Sequence, residues 1–136
     1  MNILNVREYI ETFLKIRTKD GTLMPLRLNQ PQDRMYQAVK SQWDAGKPVR
    51  IIVLKARQMG FSTLTEAIIF AITATRFYTD CMIVAHKDEA TANLFRMSLR
   101  YYENLPEPMK PMRKASNAHE LVFDKPAHYK GRRPGL

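Results

Sequence analysis

Cysteine is almost missing: Cys81 stands alone among 136 residues. No disulfide can close within the chain, and a reducing compartment fits. Cys81 falls inside an apolar run and is expected to be a buried small hydrophobe. Long hydrophobic runs are missing as well. None approaches the roughly 20 residues that cross a bilayer, so no membrane partner is expected. Met1 to Glu8 carries no basic stretch leading into an apolar one, so no secretory signal is read and an intracellular protein is expected. His119 and His128 lack Cys or carboxylate partners at metal-ligand spacing, which leaves no argument for zinc. No Ser-His-Asp or Cys-His constellation and no internal repeat stands out. Acidic residues are the other shortage: 13 Asp and Glu face 22 Lys and Arg, for a formal charge of +9. That balance favours a polyanionic partner, nucleotide or nucleic acid.

What is present reads as one domain, or part of one, of alternating elements. Val6, Tyr9, Ile10, Phe13 and Leu14 form one apolar helical face behind an Asn5 cap. Asp20-Gly21 marks a turn, and Leu23 to Leu28 an extended approach. A second helix starts near Pro31 and buries Met35, Tyr36, Val39 and Trp43; Gly46 and Pro48 stop it. Val49 to Leu54 reads as a buried strand. The helix after it carries Leu64, Ala67, Ile68, Ala71 and Ile72. A second strand is expected at Cys81 to Ala85. A further helix begins after His86-Lys87-Asp88 and turns Ala92, Phe95, Leu99 and Tyr102 inward. Pro106, Pro108 and Pro111 form a loop, and Glu120 to Phe123 a last short strand. Unbroken apolar strands alternating with helices predict an α/β domain around a parallel sheet. The expected divisions are an N-terminal helical region over 1–48, a core over 49–124 and a disordered basic tail over 125–136.

The most informative stretch is Ile51 to Thr63. An apolar run enters a loop holding Lys55, Arg57 and Gly60, and the hydroxyls of Ser62 and Thr63 open the next helix. Such a loop cradles phosphate: backbone N–H groups and the positive helix end face the anion, and a hydroxyl can hold Mg²⁺. The spacing departs from G-x-x-x-x-G-K-[ST], because Ala56 sits near the first glycine position and Phe61 occupies the lysine position. Lysine stands instead at the loop's start. The alternative is an ordinary strand-to-helix turn whose cations face water. Upstream, the Gln32 amide can donate and accept together, as adenine recognition requires; Gln30 and Gln37 are its rivals. Leu121-Val122-Phe123-Asp124 looks like a strand ending in a metal-organising carboxylate, but Lys125 stands where a water-activating glutamate would follow. Lys130, Arg132 and Arg133, beside Tyr129, could touch nucleic-acid phosphates.

With Leu28-Asn-Gln-Pro-Gln32, Lys55-Ala-Arg-Gln-Met-Gly-Phe-Ser-Thr63 and Cys81-Met-Ile-Val-Ala85 in hand, the chain resembles the N-terminal part of the large terminase subunits. These are the ATPase motors that package DNA into the heads of tailed bacteriophages. The likeness spans roughly residues 20–125, and the phosphate loop is its most specific part. It implies a parallel-sheet P-loop ATPase of the additional-strand type, with ATP and Mg²⁺ as cofactors. Lys55 and Arg57 would act on the phosphates. Ala56, Gln58, Met59, Gly60, Phe61 and Thr63 would complete the variant Walker A loop, Ser62 would ligand Mg²⁺ and Gln32 would contact adenine. It further implies double-stranded DNA, a small terminase subunit and a portal protein as partners, a homo-oligomeric motor, and the host cytoplasm as the location. No apolar strand here ends directly in an Asp-Glu pair, and these 136 residues offer no counterpart of a nuclease domain, so slow or absent hydrolysis by this chain alone is expected. The competing readings are a helicase-like fragment and a non-catalytic nucleic-acid-binding or assembly module.

Overall fold

The computed structural model describes residues 6–54, 59–76, 79–116 and 120–125. Four helices carry the core: α1 (Val6–Phe13), α2 (Gln30–Asp44), α3 (Phe61–Thr75) and α4 (Asp88–Glu103). Two short hairpins flank them, β1 (Lys15–Arg17) with β2 (Leu23–Pro25), and β3 (Met112–Ser116) with β4 (Leu121–Lys125).

α3 is the central element and contacts α1, α2 and α4. Its sequence explains why. Leu64, Ala67, Ile68, Phe70, Ala71 and Ala74 are all buried, so apolar residues cover more than one face, as a helix enclosed by neighbours requires. Three of them are alanines, which let neighbouring backbones approach. α1 contributes Val6, Tyr9 and Ile10, α2 contributes Tyr36 and Val39, and α4 contributes Tyr101. Arg7 pins α1 to its surroundings, pairing with Glu11 at 3.1 Å and with Asp33 of α2. At the far end of the bundle, Arg76 lies over the Trp43 ring at 4.7 Å.

The first hairpin follows from its turn. Gly21 takes φ +86°, a left-handed conformation in which a Cβ would be strained. The Asp20 carboxylate accepts from the Thr18 hydroxyl and from Thr22 N. The Thr18 bond, with help from Thr22, holds that carboxyl below its ordinary value. Ile16 pairs with Met24, and Ile16 packs against the core.

The expected parallel sheet is not formed. The two sheets are antiparallel pairs, and residues 49–54 and 81–85 belong to neither. Ile52 and Leu54 are 99% and 101% exposed, and Met82 and Val84 are 85% and 81% exposed. The physical reason is packing. An apolar run becomes an inner strand only when partners take up its backbone groups and a layer covers its side chains. Here the helices bury their apolar faces on one another around α3. Cys81, expected to be buried, is exposed, and its Sγ accepts from the Thr73 hydroxyl at 3.2 Å.

α4 is also turned relative to expectation. Its buried residues are Ser98 and Tyr101, while Ala92, Phe95, Leu99 and Tyr102 are half-buried. The last strand is longer than expected and includes Lys125. It pairs with a strand over 112–116 where only a loop was expected after the prolines. Asn5 and the tail beyond Lys125 lie outside the described residues.

Candidate functional site

The start of α2 is built by a capping box. Asn29 accepts from Gln32 N at 2.9 Å, and Gln32 Oε1 accepts from Asn29 N at 2.9 Å. This satisfies two amides that a helix start leaves unpaired, and Pro31 at the first turn adds a preset φ. Gln32 is 4% exposed. The other end of its amide reaches α3: Nε2 donates to the Gly60 carbonyl at 2.8 Å. Asn29 Nδ2 donates to the Met59 carbonyl at 3.4 Å. Both atoms of the Gln32 amide are thus engaged by main chain, joining the start of α2 to the start of α3.

Gly60 is the residue this junction needs. It caps α3 with φ +79°, and a Cβ there would lie 2.5 Å from Gln32 Nε2. Left-handed backbone and close approach both require glycine. Among the described residues no side chain caps α3, and its first turn holds no acidic residue. Ser62 is exposed in that turn, and Thr63 is half-buried.

A cleft of about 360 Å³ lies beside this helix start. Gln30, Pro31, Arg34 and Met35 of α2 form one wall, residues 51–54 another, and Met59 and Phe61 line it next to α3. Gln30 and Arg34 are one helical turn apart and share a face. Arg34 is the charged side chain among the described lining residues. The 51–54 wall is anchored at its start. Gln42 of α2 donates to Arg50 O at 3.2 Å and accepts from Arg50 N at 2.8 Å, much as a strand neighbour would.

Behind α3, α4 supplies a second junction. Ser98 Oγ donates to Glu66 Oε2 at 3.0 Å, and the Tyr101 hydroxyl donates to the Thr63 carbonyl at 3.0 Å. Burial raises the Glu66 carboxyl above its ordinary 4.5, and the Ser98 bond opposes that rise. Burial also raises the Tyr101 phenol, helped by Glu66.

Of the residues singled out by sequence, Met59, Gly60, Phe61, Ser62 and Thr63 come together at this end of α3. Gln32 joins them as a brace, and Gln30 rather than Gln32 faces the cleft. Lys55, Ala56, Arg57 and Gln58 lie outside the described residues. Asp124 sits in β4 of an antiparallel hairpin. The capping role of Asn29 and Gln32 was readable, because Asn-x-x-Gln is a helix-start signature. Arg34 was findable too, one turn beyond Gln30. Tyr101 left no such signal. Among the described residues no group of His, Cys, Asp and Glu could hold a metal ion, and no helix is long and apolar enough to cross a membrane. Comparison with protein-family models, curated proteins and solved structures returned no match.

Proposed function

We propose that the chain binds ATP with Mg²⁺ in this cleft, as the N-terminal ATP-binding portion of a DNA-packaging motor of the large-terminase kind. The observation that carries the reading is the 360 Å³ cleft beside the start of α3, a helix end that no side chain among the described residues caps. Its apolar lining from Pro31, Met35, Met59 and Phe61 suits the faces of a base. Gln30 offers a donor and an acceptor for the base edge, and Arg34 offers a cation. Main-chain N–H groups in the first turn of α3, with the helix dipole, favour phosphate. Lys55 and Arg57 are the phosphate ligands that the terminase likeness suggests.

The residues present suit a metal that arrives with its nucleotide. Mg²⁺ keeps several waters and takes few protein ligands alongside phosphates, so the exposed Ser62 hydroxyl is the one donor this site needs to supply. When bound, Mg²⁺ would neutralise charge on the phosphates. No carboxylate lines the described cleft to orient a water, so binding without brisk turnover is the expected behaviour.

Calorimetric titration tests the proposal. Mg-ATP should bind with a Kd of roughly 0.1–1 mM, about 4–5.5 kcal/mol. Ser62→Ala should reduce the Mg²⁺ dependence, and Lys55→Ala should weaken binding further. No binding at several millimolar Mg-ATP would overturn it.

A second reading has an observation of its own. Lys15 and Arg17 are exposed on one face of β1, with exposed Lys19 beside the turn. A cationic two-stranded ribbon on a chain of charge +9 suits nucleic-acid phosphates without any nucleotide. It gains if DNA binding survives Lys55→Ala with Arg57→Ala and is lost with Lys15→Ala and Arg17→Ala.

A further inference from the structure

We infer that Tyr101, on α4, is the positioning residue for the phosphate-binding end of α3. This rests on the nucleotide reading above. Tyr101 is 2% exposed, and its hydroxyl donates to the Thr63 carbonyl across 38 positions of sequence. Thr63 is the third residue of α3. The peptide unit that presents this carbonyl also presents Leu64 N, which donates to the Gly60 carbonyl at 3.1 Å. The same Gly60 carbonyl accepts from Gln32 Nε2 at 2.8 Å.

A continuous hydrogen-bonded chain therefore runs from α4, through the first turn of α3, to α2. Each bond polarises the next in a low-dielectric interior. Helix ends fray unless something holds them. The start of α3 has no side-chain cap of its own, so its hold comes from outside, from Gln32 on one side and Tyr101 on the other. The ring of Tyr101 is fixed by Phe70 at 5.9 Å, which meets Phe123 of β4 edge-on at 6.1 Å. One turn further along, Ser98 and Glu66 make a second rung between α3 and α4. Residues 63 and 66 face 98 and 101 at the same i, i+3 spacing, which makes a matched pair of ties. Tyr101 touches no ligand in this account. It keeps the first-turn N–H groups aligned for one.

The test is Tyr101→Phe, which keeps the ring and deletes the O–H. Loss of one such hydrogen bond corresponds to about a five- to tenfold weaker Mg-ATP affinity. Adenosine alone should bind as in the unchanged chain, because its site lies on the α2 side of the cleft. Amide exchange at residues 61–64 of the nucleotide-free protein should speed up several-fold while the rest of α3 holds. The inference is overturned if Tyr101→Phe binds Mg-ATP unchanged. It is also overturned if ATP and adenosine weaken equally, in step with the melting temperature. Should the unchanged chain bind no nucleotide, the nucleotide reading fails. The exchange measurement then decides the positioning role by itself, and unaltered exchange at 61–64 would end it.

Discussion

Replacing Gly60 with alanine probes the junction between α2 and α3 more sharply than any other single change. Two penalties follow from the structure. The backbone is left-handed, with φ +79°, which costs about 1 kcal/mol once a Cβ is present. That Cβ would also stand 2.5 Å from Gln32 Nε2, so the amide must withdraw from the Gly60 carbonyl. A buried amide left unpaired costs a further 1–3 kcal/mol or so. The sum is about 2–4 kcal/mol, which lowers the melting temperature of a chain this size by roughly 10 °C. Thermal and urea unfolding followed by circular dichroism measure it. The two penalties separate in a double-mutant cycle. In a Gln32→Ala background the clash is gone and the backbone term remains, so Gly60→Ala should cost only about 1 kcal/mol there, roughly 1–3 kcal/mol less than in the unchanged chain. Strict additivity, or a single-mutant loss under about 0.5 kcal/mol, would refute the reasoning, because ordinary surface changes fall in that range.

Glu66→Gln should raise stability at pH 7.5 and leave it little changed at pH 4. The folded-state carboxyl is raised by burial, so its contribution is fully present below the ordinary 4.5 and is lost as pH rises through the raised value. A difference between wild type and variant that does not change with pH, by urea unfolding, would contradict this. Tyr9→Phe should be neutral or slightly stabilising by thermal melt, since the Tyr9 hydroxyl is buried with no partner among the described residues; a loss above 1 kcal/mol or so would reveal a partner. Asp33→Asn should cost at most about 1 kcal/mol and matter less in high salt, because Arg7 is 36% and Asp33 41% exposed; urea titrations at two salt concentrations read this directly. Ile52→Lys with Leu54→Lys should shift the melting temperature little and reduce self-association by light scattering; unfolding would mean that these side chains are buried in a sheet.

The helices were legible and the sheet was not, for reasons that particular residues make plain. Val6, Tyr9 and Ile10 repeat at helical spacing and are buried as that spacing requires. Pro31 and Gly46 bracket α2 within two residues of where the chain turns. Ile51 to Leu54 and Cys81 to Ala85 have the composition of inner strands, but composition cannot say whether a partner strand lies alongside. In the structure these runs have none among the described residues. The face of α4 was misjudged because apolar periodicity does not register a buried polar pair: Ser98 is inside to satisfy Glu66, and that turns Tyr101, rather than Tyr102, toward α3. At the candidate site, the residues around Gly60 were legible as a glycine-led helix start, and Gly60 does begin α3. The job of Gln32 was not, since an amide that reads a base and one that braces two backbones have the same sequence signature. Asn29, three residues earlier, marks the cap of α2 but not the reach of Gln32 to α3.

The most direct measurement is a titration of the ¹⁵N-labelled chain with Mg-ATP, followed by backbone and side-chain amide shifts. Shifts should concentrate at Phe61, Ser62 and Thr63 and at Gln30 and Arg34, with the Gln32 side-chain amide held in place. Shifts confined to the β1–β2 hairpin, or none at millimolar nucleotide, would contradict nucleotide binding in the cleft.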